Sequence, residues 1–494
     1  MGASYGGRRR RMAGEKRPRA RATRIVATIA SNAEKPGALA ALLDAGVDVV
    51  RLNGAHCRPG EIARRVALVR RLSRSRRAPT GVLLDLGGPK IRLGTLPGGT
   101  VSLATGRTVE LAPGAASAGE SRAAVRLAVT YPALLADIGP GAEVRVDDGR
   151  IRLRVKKRTV RALLATVEVG GSAKSGAGVN FPDSALSAPA LTAKDRRDLE
   201  EGLAAGVDFV GLSFVRSPAH VVQLRRVLAR VAPERRPWVV SKIERKEALA
   251  ALDSLAAVSD ALMVARGDLG VEIGLAGVPG AQREILATGR RHAVPVIVAT
   301  QMLESMIENP TPTRAEVSDV AGAVHDGADA VMLSGETAIG AWPVEAVEAM
   351  AEIARAAEAP DAGAVPNVAS PLPPGDFSSV VACTAAEMAR EAHAAAMVVY
   401  TESGRTARFV SKNPLSIPVL AFTSHETVRQ KLSLLRDVTS FRVPQARTVE
   451  AMIQAGDAVL SRLPHLAGAV VVEISGAAPA AGATNTVRVR RLSR

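Results

Sequence analysis

Polar side chains end several short apolar runs of this chain, and their types suit phosphate and metal chemistry. Lys242 and Glu244 end the run VVSKIE, and Asp268 follows ALMVARG. Two carboxylates on neighbouring strands could bind one octahedral Mg²⁺ that keeps several water or substrate oxygens, whereas a calcium site would need more acids. A lysine beside them could neutralise charge on a transferring phosphoryl group, which needs positioning and electrostatics more than covalent chemistry.

Lys242 precedes Glu244 by two residues, so in an extended strand both side chains point to the same side. A buried structural ion pair is the alternative explanation for one such pair. Polar residues end nearly every apolar run, however, and in a barrel the ends of the strands meet at one face. The residues expected to converge there are Arg51, Asn53, Asp85, Ser213, Lys242, Glu244, Arg266, Asp268, Thr300, Ser334 and Glu336.

Glycine-rich nucleotide motifs do not account for this pattern. The chain has no GxxxxGK[ST], no strand-turn-helix GxGxxG and no GxSxG, so neither P-loop nor Rossmann chemistry is indicated. In ARGDLG, Gly267 stands at a turn before a helix-start signature, where backbone N–H groups could hold a carboxylate or a phosphate.

Eight β-branched runs alternate with alanine-rich helical segments, which is typical of a parallel sheet. Their starts are evenly spaced except for one long interval between Thr80 and Val207, which indicates an insertion. Eight parallel strands predict an α/β protein with a (β/α)₈ TIM barrel, and a doubly wound open sheet is the alternative. The runs begin at Arg24, Val47, Thr80, Val207, Pro237, Ala261, Pro295 and Ala328.

The segments outside the predicted barrel at 24–92 and 181–358 differ from it in composition and in their predicted structure. The inserted stretch 93–180 has short strand-like runs between Gly and Pro, which predicts a small β domain. An Ala/Pro/Gly/Ser connector at 359–376 precedes a predicted C-terminal α/β domain at 370–494. The arginine-rich stretch 1–23 is interpreted as a basic disordered tail, with nucleic-acid binding and organelle transit as alternatives.

Composition narrows the class of protein. The chain has 494 residues, 47% of them hydrophobic, and a formal charge of +17. The two cysteines, Cys57 and Cys383, form no CxxC or Cys/His cluster, so free thiols in a reducing compartment are expected. Aromatics make up only 2%, which argues against stacking on nucleic acid. Without a long apolar run or a signal sequence, we expect a cytoplasmic protein that neither spans nor binds a membrane.

The chain resembles the pyruvate kinases from about Arg24 to Leu492. The resemblance rests on SKIE, MVARGDLG, VIVATQMLESMI, NPTPTRAE, SDVAGAV and DGADAVMLSGETA, in that order. It implies a TIM barrel with an inserted β-barrel lid, a C-terminal effector and oligomerisation domain, and a homotetramer. It also implies the last step of glycolysis, in which a phosphoryl group passes from phosphoenolpyruvate to ADP and gives pyruvate and ATP. The implied metal is Mg²⁺, with Mn²⁺ as an alternative.

The same resemblance assigns roles to residues of this chain. Lys242 matches the transition-state lysine, Arg51 the substrate arginine, and Glu244 and Asp268 the Mg²⁺ carboxylates. The implied site divides into catalytic Lys242, Arg51 and Thr300; substrate-binding Arg51, Gly267, Asp268, Thr300 and Ser213; and nucleotide-binding Arg92 and His56.

Departures from the family pattern lie on the nucleotide and monovalent-ion side. Of the usual K⁺ ligands, Asn53 and Asp85 remain, but Ala55 and Leu86 carry no side-chain oxygen. Lys90 stands where K⁺-dependent members carry Glu, so the chain resembles the K⁺-independent, lysine-type branch and is predicted not to require K⁺. A solvated lysine beside a degenerate site is the alternative. Other departures are Ala30–Ala33 in place of GPAS, Gly54 and Ala55 within NFSH, and Ala177 or Gly178 in place of a lysine.

An effector site is predicted at the loop after AMVVY, where hydroxyls, a glycine and an arginine could hold a phosphate. It resembles the sugar-phosphate loop of allosteric pyruvate kinases. Glu402 would repel a second phosphate, so a sugar monophosphate or AMP is favoured, and an ordinary capped turn is the alternative. The loop residues are Thr401, Ser403, Gly404, Arg405 and Thr406.

Two other functions compete with phosphoryl transfer. A catalytically weakened paralogue could bind a phosphorylated metabolite without turnover. A Mg²⁺-dependent enolate enzyme, such as a pyruvate aldolase, could use the same carboxylates but would need neither Lys242 in this place nor a lid.

Overall fold

Eight parallel strands close into a barrel in this computed structural model, as the apolar runs predict. Each strand pairs with its neighbours in chain order, and the eighth closes onto the first with Met332 opposite Val26. The strands are rich in Val, Ile and Leu because both faces of a barrel strand are covered. The open-sheet alternative is therefore wrong. The barrel strands are Arg24–Ile29, Val49–Asn53, Gly81–Asp85, Phe209–Leu212, Trp238–Ile243, Ala261–Ala265, Val296–Ala299 and Ala330–Leu333.

The structure describes residues 21–76, 79–117, 119–120, 125–359, 377–413, 415, 417–476 and 484–493. The predicted N-terminal tail, apart from its last three residues, and the connector beyond residue 359 lie outside these ranges. The domain bounds given above stay a prediction. Among the described residues, no helix combines the length and apolar character needed to cross a membrane.

Helices surround the barrel and connect its strands. One that matters for the site is Ala193–Ala205, which begins with a capping box between Thr192 and Asp195 and ends at Gly206 in the left-handed conformation. The α-helices of this body are Ala38–Ala45, Glu61–Arg76, Ala193–Ala205, Pro218–Leu228, Lys246–Ala250, Leu252–Val258, Arg266–Ile273, Val278–Arg291, Arg314–His325, Gly335–Ala338 and Pro343–Ala357.

The insertion between the third and fourth barrel strands is built of β-structure, consistent with the predicted small β domain. It holds a seven-stranded sheet and a two-stranded ribbon around its own apolar core. One short helix, Leu134–Asp137, interrupts them. The strands are Thr100–Leu103, Thr108–Pro113, Gly119–Glu120, Val125–Val129, Glu143–Val146, Ile151–Arg158, Leu163–Val169, Gly171–Lys174 and Val179–Asn180. We call this body the lid.

The C-terminal domain covers the end of the barrel where the strands begin. Ser433 Oγ accepts a hydrogen bond from the Gly81 amide at 3.1 Å, and Arg24 Nε donates to the Leu435 carbonyl at 2.8 Å. The opposite end, where the polar residues stand, is left for a site. The domain has strands Ala396–Tyr400, Val419–Thr423, Val438–Arg442, Val470–Gly476 and Thr484–Arg491, and helices Phe377–Glu391, Arg405–Ser411, Glu426–Lys431 and Val449–Leu460.

Candidate active site

Lys242 lies at the centre of the polar cluster at the carboxyl ends of the barrel strands. Its Nζ is 2.8 Å from Glu244 Oε1 and 3.4 Å from Asp85 Oδ1, and it donates to Ser213 Oγ at 2.7 Å. Only 12% of the lysine side chain is exposed, and each carboxylate is 1% exposed. This contact is consistent with the prediction that Lys242 and Glu244, two residues apart on one strand, point to the same side.

Arg51 extends this cluster toward the first two strands. Its Nε donates to Asp85 Oδ2 at 2.8 Å, and its Nη1 donates to the Thr28 hydroxyl at 3.0 Å. Asp85 thus joins the two cations, and its carboxylate fixes where each of them lies.

Burial and charge act in opposite directions on these groups. Burial opposes the charge of Lys242, but Asp85 and Glu244 outweigh it and raise the pKa of the lysine. Burial likewise disfavours ionised Asp85, yet Lys242 and Arg51 outweigh it and lower the pKa of that carboxyl. The centre therefore presents a charged ammonium in a water-poor place, where its field is strong.

Asp268 stands in the first turn of helix Arg266–Ile273 and is paired with Lys90. Lys90 Nζ lies 3.0 Å from Asp268 Oδ1 and 3.4 Å from Oδ2. Both side chains are partly exposed, at 31% for the lysine and 22% for the aspartate. Lys90 is thus directed at the candidate metal ligand and is not a fully solvated surface lysine.

Glu244 and Asp268 fit Mg²⁺ by the chemistry of their donor oxygens. Burial raises the pKa of Glu244, Lys242 opposes that shift, and the negative charge of Asp268 adds to it. A divalent cation beside both carboxylates would offset this repulsion. No cluster of three or more His, Cys, Asp or Glu suited to a metal occurs in the described part of the chain. Water and substrate oxygens would complete the shell, as is usual for Mg²⁺.

Thr300 has an unusual backbone conformation at the end of the seventh strand. Its φ is 69°, and Gln301 beyond it has φ 52°. Its hydroxyl accepts from the Gly267 amide at 2.8 Å and donates to the Ala299 carbonyl at 2.6 Å. A threonine in the left-handed region is uncommon and costs free energy, and such residues concentrate at functional sites.

The residues predicted to bind nucleotide make no hydrogen bond to the Lys242 cluster among the described contacts. His56 is exposed in the short turn after the second strand, and Arg92 Nη1 donates to the Gly176 carbonyl in the lid at 3.0 Å. Asn53 Oδ1 accepts from the Ala55 amide at 3.3 Å. These side chains therefore stand apart from the buried Lys242 centre.

Several residues near the site were not identified from the sequence. The Phe214 amide donates to Glu244 Oε2 at 2.7 Å from a residue with φ 54°, and a backbone donor of this kind leaves no residue-type signal. Arg245 Nη1 donates to the buried Glu272 at 2.7 Å, and Asn180 of the lid donates to the same oxygen at 3.3 Å. Thr28 lies inside the first apolar run and is followed by Ile29 and Ala30, so the search for polar residues at the ends of runs did not find it.

Not every polar strand end joins the centre. The Glu336 carboxylate accepts from the amides of Leu303 and Ser334 at 3.1 and 2.7 Å and so holds neighbouring turns. The Arg266 guanidinium donates to the Thr300 carbonyl at 2.7 Å. These two residues position the backbone around Thr300.

The predicted effector loop divides into buried and cavity-lining residues. Thr401 Oγ1 accepts from the Gly404 amide at 3.0 Å, and the Thr406 hydroxyl lies 2.7 Å from Thr484 Oγ1. Ser403 and Arg405, in contrast, line a cavity of about 530 Å³ between the C-terminal domain and the barrel. The structure thus brings two of the five loop residues to a space that could hold a ligand.

The fold and this cluster define a barrel protein whose polar centre places the Lys242 and Arg51 cations beside carboxylate oxygens. Two family models match the chain: the pyruvate kinase barrel domain over residues 20–347 and the pyruvate kinase alpha/beta domain over residues 379–490. The chain belongs to the pyruvate kinase family, and it is a phosphotransferase of that family.

Relatives and a solved structure agree with this assignment. The chain is 40% identical to a pyruvate kinase of Mycobacterium tuberculosis over 95% of its own length and 98% of the relative. It is 38% identical to one of Methylorubrum extorquens, covering 96% and 98%. A crystal structure of a pyruvate kinase from Cryptosporidium parvum superposes with a TM-score of 0.86 at 30% identity, covering 96% of both chains.

Proposed function

We propose that the chain transfers the phosphoryl group of phosphoenolpyruvate to ADP, with Mg²⁺ bound by Glu244 and Asp268 and without K⁺. The observation that carries the proposal is the buried Lys242 ammonium held between Asp85 and Glu244. Such a charge, fixed before substrate arrives, can stabilise a transferring phosphoryl group without reorganising.

Each residue has a role in the proposed reaction. An oxygen of ADP attacks phosphorus, the bond to the enol oxygen breaks, and the enolate is then protonated at carbon to give pyruvate. Lys242 and Arg51 would bind the phosphoryl oxygens, with Ser213 orienting the ammonium. Gly267 and Thr300 would hold the carboxylate end of the substrate. Bound Mg²⁺ would supply further positive charge to the same oxygens.

We assign the nucleotide side to His56 and Arg92, by resemblance, and the place of K⁺ to Lys90. The ammonium of Lys90 beside Asp268 supports this, since a tethered cation can supply charge near the metal site. This places the chain in the lysine-type branch of the family. A homotetramer and a cytoplasmic location follow from the same resemblance and stay predictions.

A coupled assay with phosphoenolpyruvate, ADP and Mg²⁺ tests the proposal. We expect pyruvate and ATP to form at equal rates. Binding of phosphoenolpyruvate without turnover would favour a weakened paralogue, and pyruvate release independent of ADP would favour enolate chemistry of another class. Either result would contradict the proposed reaction.

Asp268→Asn is expected to raise the Mg²⁺ concentration needed for half-maximal activity by about tenfold or more, because an amide is a weaker ligand than a carboxylate. The measurement is a Mg²⁺ titration of the initial rate. Asp253→Asn is the matched control, since Asp253 pairs with Arg291 and His292 and has no proposed metal contact. An unchanged titration for Asp268→Asn would remove it from the metal shell.

A phosphate monoester is a second proposed ligand, bound in the cavity beside Ser403 and Arg405. The wall adds Arg225, Arg236 and Lys431 from outside the loop. Glu402, which would repel phosphate, lies 3.1 Å from His425 Nε2 and accepts from Ser424 at 2.8 Å. Basic side chains outnumber the acidic Glu234, Asp260 and Glu402 in this wall, and Arg225 is paired with Asp260 at 2.9 Å. The lining therefore favours one phosphate more than the loop alone suggests.

AMP or a hexose monophosphate is expected to shift the saturation curve for phosphoenolpyruvate to lower concentration, and Arg405→Ala should reduce that shift severalfold. The exposed Arg447, which lies in the same domain but outside this cavity, provides the control Arg447→Ala. Initial rates against phosphoenolpyruvate, with and without each compound, measure the effect. Identical curves would leave an ordinary capped turn as the explanation of the loop.

A further inference from the structure

Two turns beside the site touch each other backbone to backbone. The first turn, residues 53–56, follows the second barrel strand and carries His56; the second turn, residues 85–89, follows the third strand and precedes Lys90. A Cβ on Gly54 would lie 2.9 Å from the Asp85 carbonyl oxygen and 3.6 Å from Leu86 Cα. A Cβ on Gly87 would lie 3.2 Å from Ala55 Cβ. Close approach, and not an unusual backbone angle, is the reason for glycine at both positions.

One carbonyl oxygen of each turn accepts a hydrogen bond from a protein side chain. Lys194 Nζ, in the first turn of helix Ala193–Ala205, donates to the Gly54 carbonyl at 2.5 Å and the Cys57 carbonyl at 3.1 Å. Its charge is also paired with Asp198 at 2.6 Å. The Leu86 carbonyl accepts from Ser213 Oγ at 2.8 Å. Lys194 therefore fastens the first turn in place.

The side chains of the turns leave one buried oxygen without a hydrogen-bond partner, Asp85 Oδ1, and that oxygen faces the Lys242 ammonium at 3.4 Å. Asn53 Oδ1 accepts from its own turn, Asp85 is shared by Arg51 and Lys242, and Leu86 is 1% exposed in the apolar core. A hard monovalent cation needs several oxygens directed at one point. These residues do not fit K⁺.

We propose that direct contact between the two turns, permitted by Gly54 and Gly87 and held by Lys194, keeps them together as a bridging cation would otherwise do, whereas Lys90 supplies the charge of that cation. The contact sets the distance between His56 on one turn and Lys90 beyond the other. Gly54 and Gly87 are thus positioning residues for the nucleotide side. This inference rests on the proposed function, in which His56 contacts ADP.

Gly54→Ala is expected to raise the KM for ADP by about tenfold, with a smaller change in the KM for phosphoenolpyruvate. An added Cβ meets the Asp85 carbonyl oxygen, so the two turns must separate, whereas the Asp85 carboxylate stays paired with Arg51 and Lys242. The rise should be the same in K⁺ and in tetramethylammonium at equal ionic strength. Gly87→Ala, whose Cβ would approach no atom closer than Ala55 Cβ at 3.2 Å, should give a smaller rise in the same direction.

Gly280→Ala is the matched control, because its Cβ would meet nothing within 4 Å on helix Val278–Arg291. A second measurement does not depend on turnover. The melting temperature of the native protein should be equal in K⁺ and in tetramethylammonium, because specific binding of K⁺ would raise the melting temperature in K⁺ alone. A K⁺-specific rise, or an unchanged KM for ADP in both glycine variants, would overturn the inference. Failure of the proposed function would appear differently, as a native protein without turnover, and the melting comparison would still test the turns.

Discussion

Replacing Lys242 with Met is expected to lower kcat by about 10³-fold or more, which corresponds to roughly 4 kcal/mol of lost transition-state stabilisation. The ammonium is the cation held between Asp85 and Glu244, and its raised pKa keeps it charged at neutral pH. Methionine keeps much of the length and apolar volume but has no charge. Mg²⁺ and phosphoenolpyruvate should still bind, since Glu244, Asp268 and Arg51 remain.

Steady-state kinetics and binding titrations separate these effects. Lys412→Met is the matched control, because Lys412 is 6% exposed and paired with Asp329 at 2.5 Å far from the candidate site. That variant should lose stability and keep kcat within about twofold, since it breaks a buried ion pair without touching the centre. Near-normal turnover of Lys242→Met would contradict the role given to the lysine.

The barrel was predictable because its signal is local. A strand covered on both faces must be apolar along its length, and eight such runs with polar ends are easily seen in the sequence. The Lys242–Glu244 pair was predictable for the same reason, since two residues on one strand share a side. The structure agrees with both.

Contacts between residues far apart in the chain could not be predicted from local sequence patterns. Lys90 and Asp268 are 178 residues apart and meet only because the barrel closes. The Phe214 amide that holds Glu244 has no residue type to reveal it. The effector prediction named one loop, whereas Arg225 and Arg236 of the cavity wall come from another part of the chain. The inward direction of Thr401 and Thr406 depends on packing that no short motif encodes.

The contact between the two turns is another feature that the sequence alone did not predict. Ala55 and Leu86 were interpreted from the sequence as missing ligands, and Gly54 as a departure from the family pattern. In the structure, the Gly54 backbone lies close to the Asp85 carbonyl, and Lys194 from a separate helix donates to the Gly54 carbonyl. Substitutions that remove one interaction and create another can be interpreted only when their neighbours in space are known.

Replacing Lys90 with Glu is expected to lower kcat/KM by about 10²-fold, or roughly 2.7 kcal/mol. The change exchanges an ammonium 3.0 Å from Asp268 for a second carboxylate beside it. Like charges at that distance repel, so the site would lose a tethered cation and gain a competing negative charge. K⁺ should not restore the rate, because Ala55 and Leu86 still offer no side-chain oxygen and one carbonyl oxygen of each turn already accepts a hydrogen bond from a protein side chain.

Turnover of Lys90→Glu should therefore be measured in K⁺ and in a tetraalkylammonium salt at equal ionic strength. Lys90→Met separates the two causes, since it removes the positive charge without adding a negative one and should cost about tenfold. Lys174→Glu, at an exposed position of the lid strand Gly171–Lys174, makes the same change in net charge away from the site and should leave the rate unchanged. Full activity of Lys90→Glu would mean that its ammonium does not act on the metal site. A large K⁺-specific recovery would instead show that the neighbouring turns can open to bind an ion, against the direct contact between Gly54 and the Asp85 carbonyl.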